Sequence, residues 1–198
     1  MVLMIDAQIA GISGDMILSS LVNLGANKSR IIEGIYTAES FLDNSKITNI
    51  DFLSVQKNGK DATQLILEVD ENIHERKATD IKHCIIESSK KIGLSESGLN
   101  FATNTINTLI GAESKVHGES ESSVHFHEAA SIDTVVDILG TAIALDDLNL
   151  FNEEINCSPV AIGGGTMTFS HGKTSNPAYA ILEIFKNSEI IIQGGTIT

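Results

Sequence analysis

Two hydrophobic periods alternate along the chain, and their alternation predicts a protein of mixed helices and strands. Apolar residues recur at the helical spacing of three and four in six segments, most clearly in the one that ends at Leu150. The predicted helices are a stretch opened by Asp15 and closed at Gly25, then 28–39, 78–92, 95 to about 113, 133–150, and 177–185. Residues 114–124 are polar, and we expect a loop there.

The strand-like segments have a period of two or are short apolar runs. Residues 46–70 alternate on both sides of Asn58-Gly59, a dipeptide that strongly indicates a β-hairpin. Further strands are predicted at 2–6, 155–160, 167–169 and 190–192. The expected fold class is α/β, or α+β, with a mixed β-sheet flanked by helices. We expect one domain over residues 1–198, as a fragment of a longer protein or one of two split subunits.

Composition narrows the classes of partner. The 198 residues carry a formal net charge of −13, which repels phosphate backbones and anionic lipid, so neither nucleic acid nor a membrane is an expected partner. Two distant cysteines exclude a disulfide framework. No run reaches the roughly 18 apolar residues of a membrane helix, and the N-terminal run lacks a basic start. We therefore expect a cytoplasmic protein.

A histidine cluster is the leading candidate for chemistry. It comprises His117, His125, His127 and Glu128, and Asp133 and Asp137 follow it in sequence. Residues two apart on an extended backbone point to one side, and residues four apart share a helix face. Imidazole with carboxylate suits zinc, nickel, copper or ferrous iron. The alternative is that these histidines lie in a solvated loop and the aspartates are charges on a helix face.

Two glycine turns could contact a cofactor. The first contains Gly11, Gly14 and Asp15 between a strand and a helix, a layout that can bind phosphate, although it matches neither common nucleotide motif. Asp15 repels anions, so it could instead cap the helix, or bind metal together with Asp6. The second turn contains Gly163 and Gly164 and is followed by His171. Its alternative is a flexible turn with a structural histidine.

Three of these segments, in this order, resemble the LarC family of nickel-insertion proteins. They are AGISGDM at 10–16, KVHG followed by VHFHEAASIDTVVDILGTAIALDDL at 115–148, and SPVAIGGGTMTFSHG at 158–172. Members often carry a longer histidine run before the HFHE-like segment, which here is GESESSV. The proline-rich stretch that tends to follow HG keeps only Pro177 here.

The resemblance implies a nickel chelatase, a lyase-type enzyme that inserts Ni²⁺ into pyridinium-3,5-bisthiocarboxylic acid mononucleotide to form the nickel-pincer cofactor. The resemblance also implies that the reaction uses CTP and Mn²⁺. We expect both to bind to a C-terminal portion outside this chain. The expected partners are the pyridinium-type nucleotide precursor, a C-terminal LarC partner chain and further copies in a homo-oligomer. Two alternatives stay open. One is a metallochaperone module without turnover, and the other is a metal-dependent hydrolase using His125, His127, Asp6 and Asp15.

Overall fold

The structure is a computed structural model, and it describes residues 2–127, 129–169 and 172–194. The helices are α1 Gly14–Leu24, α2 Lys28–Glu39, α3 Ala78–Lys91, α4 Glu96–His117, α5 Ile132–Asp147 and α6 Tyr179–Lys186. The strands are β1 Val2–Ile5, β2 Ser45–Lys57, β3 Lys60–Glu71, β4 Arg76–Lys77, β5 His125–Phe126, β6 Glu154–Cys157, β7 Val160–Ile162, β8 Thr166–Phe169, β9 Gly172–Ser175 and β10 Ile192–Gly194. A short 3₁₀ helix covers Leu150–Asn152.

Helix α5 is the centre of the hydrophobic core. Its sequence is apolar on nearly all sides, and α1, α2, α3 and α4 all pack against it. A helix that is apolar all round is stable only when neighbours cover each face, as they do here. The Ser131 side chain accepts a hydrogen bond from the Asp133 backbone N–H at 3.2 Å and so caps the first turn. The core therefore fixes where α5 begins, directly after the histidine-bearing segment.

The hairpin β2–β3 covers one side of this helical core. Asn58 and Gly59 both have positive φ, at 51° and 76°, as a two-residue turn requires. Strand β3 packs against α1, and β2 packs against α2. The hairpin predicted around residues 46–70 is confirmed.

A second strand unit consists of β1, β6, β7 and β10, which we call the parallel layer. Strand β1 pairs in parallel with β6, and β10 pairs in parallel with β7. The Val160 N–H donates to the Ile191 carbonyl at 2.8 Å, and the Ala161 N–H donates to the Ala7 carbonyl at 2.9 Å. Since successive N–H groups of a strand point to opposite sides, the chain after β1 and the chain before β10 flank β7 on its two edges.

The predicted α/β class is confirmed, with strands that form small parallel and antiparallel pairs within the described residues. Helix α2 has the predicted bounds. The predicted loop at 114–124 is wrong at its start, because α4 continues to His117 and ends at Gly118, which has a left-handed conformation. The strand predicted at 155–160 is two strands, interrupted at Ser158-Pro159. In the described part of the chain, helices are too short or too polar to cross a bilayer.

Candidate metal and cofactor site

The HFHE segment is attached to the core through its phenylalanine. Strand β5 pairs with β4, with His125 opposite Lys77 and Phe126 opposite Arg76. Phe126 is buried, whereas its neighbours His125 and His127 are each partly exposed. Burial of the central side chain directs the two flanking imidazoles away from the core. The backbone of this segment is therefore fixed while its histidines stay accessible.

The structure brings His127 next to His117. Their ring centroids are 6.0 Å apart, with the ring planes inclined at 53°. His117 is the last residue of α4, and its Nε2 atom lies 3.3 Å from the Glu113 Oε2 atom. Two imidazoles and one carboxylate thus lie at the end of α4.

Glu113 is a member of this group that the sequence reasoning missed. Its spacing of four from His117 places the two on one face of a helix. Because the predicted helix ends near Glu113, it places His117 in a loop, and the two residues are not predicted to pair. The available signal was Gly118, a residue type that commonly follows the end of a helix.

The other predicted metal ligands are less closely assembled. Among residues 2–127, 129–169 and 172–194, no three His, Cys, Asp or Glu side chains are grouped closely enough to hold one metal ion. Glu128 and His171 lie outside the described residues. The set of His125, His127, Asp6 and Asp15 that a hydrolase would use therefore does not form a three-ligand centre in this structure.

Three carboxylates interact where α1 meets α5. Burial is the main cause that raises the pKa of Asp137 to about 7, and the negative charges of Asp133 and Asp15 add to it. Burial also raises the pKa of Asp133, with contributions from Asp15 and Glu71. Asp137 Oδ1 is buried without a hydrogen-bond donor in the described part of the chain. The group therefore holds uncompensated negative potential that a proton or a cation would relieve.

Asp6 has a separate and local set of contacts. Its Oδ1 atom accepts from the Gln8 backbone N–H at 3.2 Å and from the Ser158 hydroxyl at 3.3 Å. The same hydroxyl accepts from the Ala7 N–H at 2.8 Å. Asp6 thus ties the end of β1 to the segment between β6 and β7, which gives it a structural role.

The glycines of the first turn are explained by contacts within the protein. A Cβ atom at Gly11, where φ is +72°, would lie 2.8 Å from the Ala161 carbonyl oxygen. A Cβ atom at Gly14 would lie 2.2 Å from Asp137 Cγ. The turn is thus filled by protein atoms, and Asp15 accepts from the Ser13 hydroxyl beside it.

The second turn is more open. Among the described residues, a Cβ atom at Gly163 would meet the Asn176 side-chain amide at 2.7 Å, and one at Gly164 would meet no atom within 4 Å. Both glycines are exposed. Of the two predicted cofactor-binding turns, this one leaves room for a ligand.

A buried ion pair between Arg76 and Glu71, which the sequence does not predict, stabilises the chain that follows His127. The Arg76 guanidinium donates to the Ala130 carbonyl at 3.1 Å and the Asp43 carbonyl at 2.9 Å, and it lies 3.4 Å from Glu71 Oε1. The same Glu71 oxygen accepts from the Ile132 backbone N–H at 3.2 Å. The pair therefore connects the hairpin to the chain between β5 and α5.

Comparisons with known proteins identify the family of this chain. The chain is 36% identical over 178 residues to the pyridinium-3,5-bisthiocarboxylic acid mononucleotide nickel insertion protein of Staphylococcus saprophyticus, covering 90% of this chain and 43% of that protein. It is 36% identical over 203 residues to the protein of the same name from Clostridium kluyveri, covering 95% and 48% respectively. The chain thus spans less than half the length of these relatives. No solved structure matches it. The model of the nickel insertion protein family matches residues 3–198, and the chain belongs to that family.

Proposed function

We propose that this chain binds Ni²⁺ and takes part in its insertion into pyridinium-3,5-bisthiocarboxylic acid mononucleotide, as a nickel chelatase or as a portion of one. Family membership over nearly the whole chain supports the metal and the reaction. The relatives from Staphylococcus saprophyticus and Staphylococcus epidermidis carry names that state this substrate. The observation that carries the proposal on this chain is the adjacency of His117 and His127 at the end of α4.

The imidazole pair suits nickel as a cargo. Imidazole nitrogen and carboxylate oxygen both bind Ni²⁺. His117 and His127 supply two neighbouring imidazoles, and Glu113 supplies a carboxylate beside His117, although the three do not form a complete three-ligand centre in the described residues. A site that offers few protein ligands leaves coordination positions open. The sulfur atoms of the precursor could enter these positions before the histidines dissociate. In this proposal His125 and Glu128 are further ligands, and Asp133 lies on the adjoining helix turn.

CTP does not fit the described residues of the first glycine turn. Protein atoms fill the space beside Gly11 and Gly14, and the carboxylates of Asp15, Asp133 and Asp137 would repel a triphosphate. We assign CTP and Mn²⁺ to the portion of the family protein that this chain does not span. Gly163, Gly164 and His171 remain our proposed contacts for the nucleotide precursor, because the glycines there are exposed.

Nickel binding by calorimetry tests the metal site. We expect the chain to bind Ni²⁺ and the His117→Ala and His127→Ala variants each to lose about tenfold or more in affinity. The double variant His125→Ala/His127→Ala should lose at least as much. His83→Ala, which removes an exposed imidazole on α3, is the matched control and should bind as the unaltered chain does. Equal affinity in all variants would show that this histidine group is not the nickel site.

A metallochaperone module without turnover is the second candidate. It is favoured by the lack of a three-ligand centre in the described residues and by the filled glycine turn. Binding of the pyridinium precursor to the isolated chain separates the candidates. A chain that binds nickel and the precursor supports the insertion role, whereas one that binds nickel alone supports the module.

A further inference from the structure

The parallel layer exposes an apolar outer face. Val2, Met4 and Ile191 are 57%, 64% and 68% exposed, which is high for side chains of this size beside regular strands. Val2 and Met4 alternate with Leu3, which packs against the core. Ile191 precedes Ile192, whose register partner Val160 is buried. Because successive strand residues point to opposite faces, Val2, Met4 and Ile191 all lie on the face turned away from the core.

Such a face is unusual for parallel strands. Parallel sheets are almost always covered on both faces, and their strands are apolar throughout for that reason. Strand β1 reads Val-Leu-Met-Ile, without the polar alternation of a strand that has one face in water. The antiparallel hairpin of the same chain has exposed Lys, Asp, Glu and Gln residues along its strands. The sequence of β1 is therefore that of a strand covered on both sides.

A second copy of this chain is a poor candidate for the cover. Each copy carries a formal net charge of −13, so two copies repel each other at every approach. The family relatives, however, contain more polypeptide than this chain matches, since it covers 43% to 48% of their lengths.

We propose that the outer face formed by Val2, Met4 and Ile191 is the docking surface for the remaining portion of the family protein, whether joined to this chain or made as a separate one. Docking there removes three large apolar side chains from water, which favours association. The proposal does not depend on nickel binding.

The test uses this chain and the polypeptide from the same organism that matches the part of the relatives beyond the region aligned here. The two are produced as separate chains, mixed, and examined by light scattering and by a binding titration. We expect a one-to-one complex, weakened about tenfold or more by Met4→Glu and by Ile191→Glu. Leu53→Glu is the matched control, since Leu53 is 44% exposed on the hairpin and the same charge is introduced. It should leave binding unchanged.

Thermal melts establish whether each variant is folded. If Met4→Glu does not fold, the Ile191→Glu variant, which changes a residue just before β10, provides the test. Several results would overturn the proposal. One is a complex that the variants at Met4 and Ile191 do not weaken, and another is the failure to form a complex at about 100 µM of each chain. The others are self-association of this chain that the Met4 variant abolishes, and the absence of any such polypeptide in the organism. Each measurement is made without metal, so its outcome is separate from that of the nickel experiment.

Discussion

Gly14 lies so close to Asp137 that a Cβ atom at position 14 would be 2.2 Å from the Asp137 Cγ atom and 2.3 Å from its Oδ2 atom. The two residues are far apart in sequence, and their contact fixes the start of α1 against the second turn of α5. Any side chain at position 14 must displace either the carboxylate or the helix. The glycine therefore holds three carboxylates, Asp15, Asp133 and Asp137, within electrostatic range of one another.

Replacement of Gly14 by alanine should destabilise the protein. Alanine normally favours a helix over glycine by about 1 kcal/mol. Here the new methyl group overlaps the Asp137 side chain, including its Cβ atom at 2.5 Å, which cannot move away by a side-chain rotation, and overpacking of this kind costs about 1–3 kcal/mol. Urea unfolding measures the change in the free energy of unfolding. Gly111→Ala is the control, because among the described residues its Cβ would meet just Glu121 Oε1, at 3.7 Å, and it should be neutral or stabilising. Equal stability of the two variants would contradict the packing argument.

The contribution of Asp137 to stability should fall as the pH rises from 3.8 to about 7 and should level off above that. The pKa of Asp137 is raised from 3.8 to about 7 in the folded protein, so the folded state retains a proton that the unfolded state loses. The stabilisation is complete below the unfolded value and is lost as the pH rises towards 7. Each pKa unit corresponds to about 1.4 kcal/mol, and solvent screening reduces this for a partly exposed group, so we expect a loss of roughly 1–2 kcal/mol.

Asp137→Asn should remove that part of the pH dependence, since the amide does not titrate. The urea midpoints of the variant and of the unaltered chain at pH 4.5 and pH 8 measure how strongly the stability of each protein depends on pH. Asp61→Asn, which changes an exposed carboxylate of the hairpin, should keep the unaltered slope. A steeper loss in the Asp137 variant, or no difference from the unaltered chain, would show that Asp137 is not the group responsible.

The sequence predicts those parts of the fold that local chemistry determines. Asn58-Gly59 defines the hairpin turn because few other dipeptides adopt positive φ at both positions. Asn27 caps α2 by accepting from the Arg30 N–H at 3.1 Å, and Gly25 ends α1 in a left-handed conformation. Each of these signals acts within four residues, and the corresponding helix or strand bounds are close to the prediction.

The candidate site depends on contacts that are distant in sequence, and these were predicted only in part. The HFHE segment and His117 could be identified as a group, but the proximity of the His127 and His117 rings depends on where α4 ends. The contacts of the Arg76–Glu71 pair have no local signature, since Asp43, Ala130 and Ile132 are all distant from it in sequence. The contact between Gly14 and Asp137 likewise exists only once α1 packs on α5.

Nickel affinity should fall in acid. Imidazole binds metal only when it is unprotonated, and free imidazole side chains protonate below about pH 6.5. Between pH 7.5 and pH 5.5 we therefore expect about a tenfold or larger loss of affinity for Ni²⁺ in calorimetry. Circular dichroism at both pH values checks that the chain remains folded. Unchanged affinity would count against ligation by His117 and His127.

The Arg76–Glu71 pair should be the most costly of the ion pairs to break. Both side chains are only 8% exposed, and removal of one partner leaves a buried charge unpaired, which costs about 3–5 kcal/mol. Arg76→Met should lower the free energy of unfolding by about this amount, measured in urea. Lys90→Met, which breaks the exposed pair with Glu87, is the control and should leave the urea midpoint unchanged.

The double variant Arg76→Met/Glu71→Leu distinguishes charge from packing. If the unpaired carboxylate causes the loss, removing it as well should restore much of the stability, because apolar side chains of similar volume often replace a buried ion pair at little cost. The carbonyls of Ala130 and Asp43 would still lack their donor, and the Ile132 N–H would lose its Glu71 acceptor, so recovery should be incomplete. A double variant no more stable than Arg76→Met would show that these lost hydrogen bonds, and not the charge of Glu71, determine the effect.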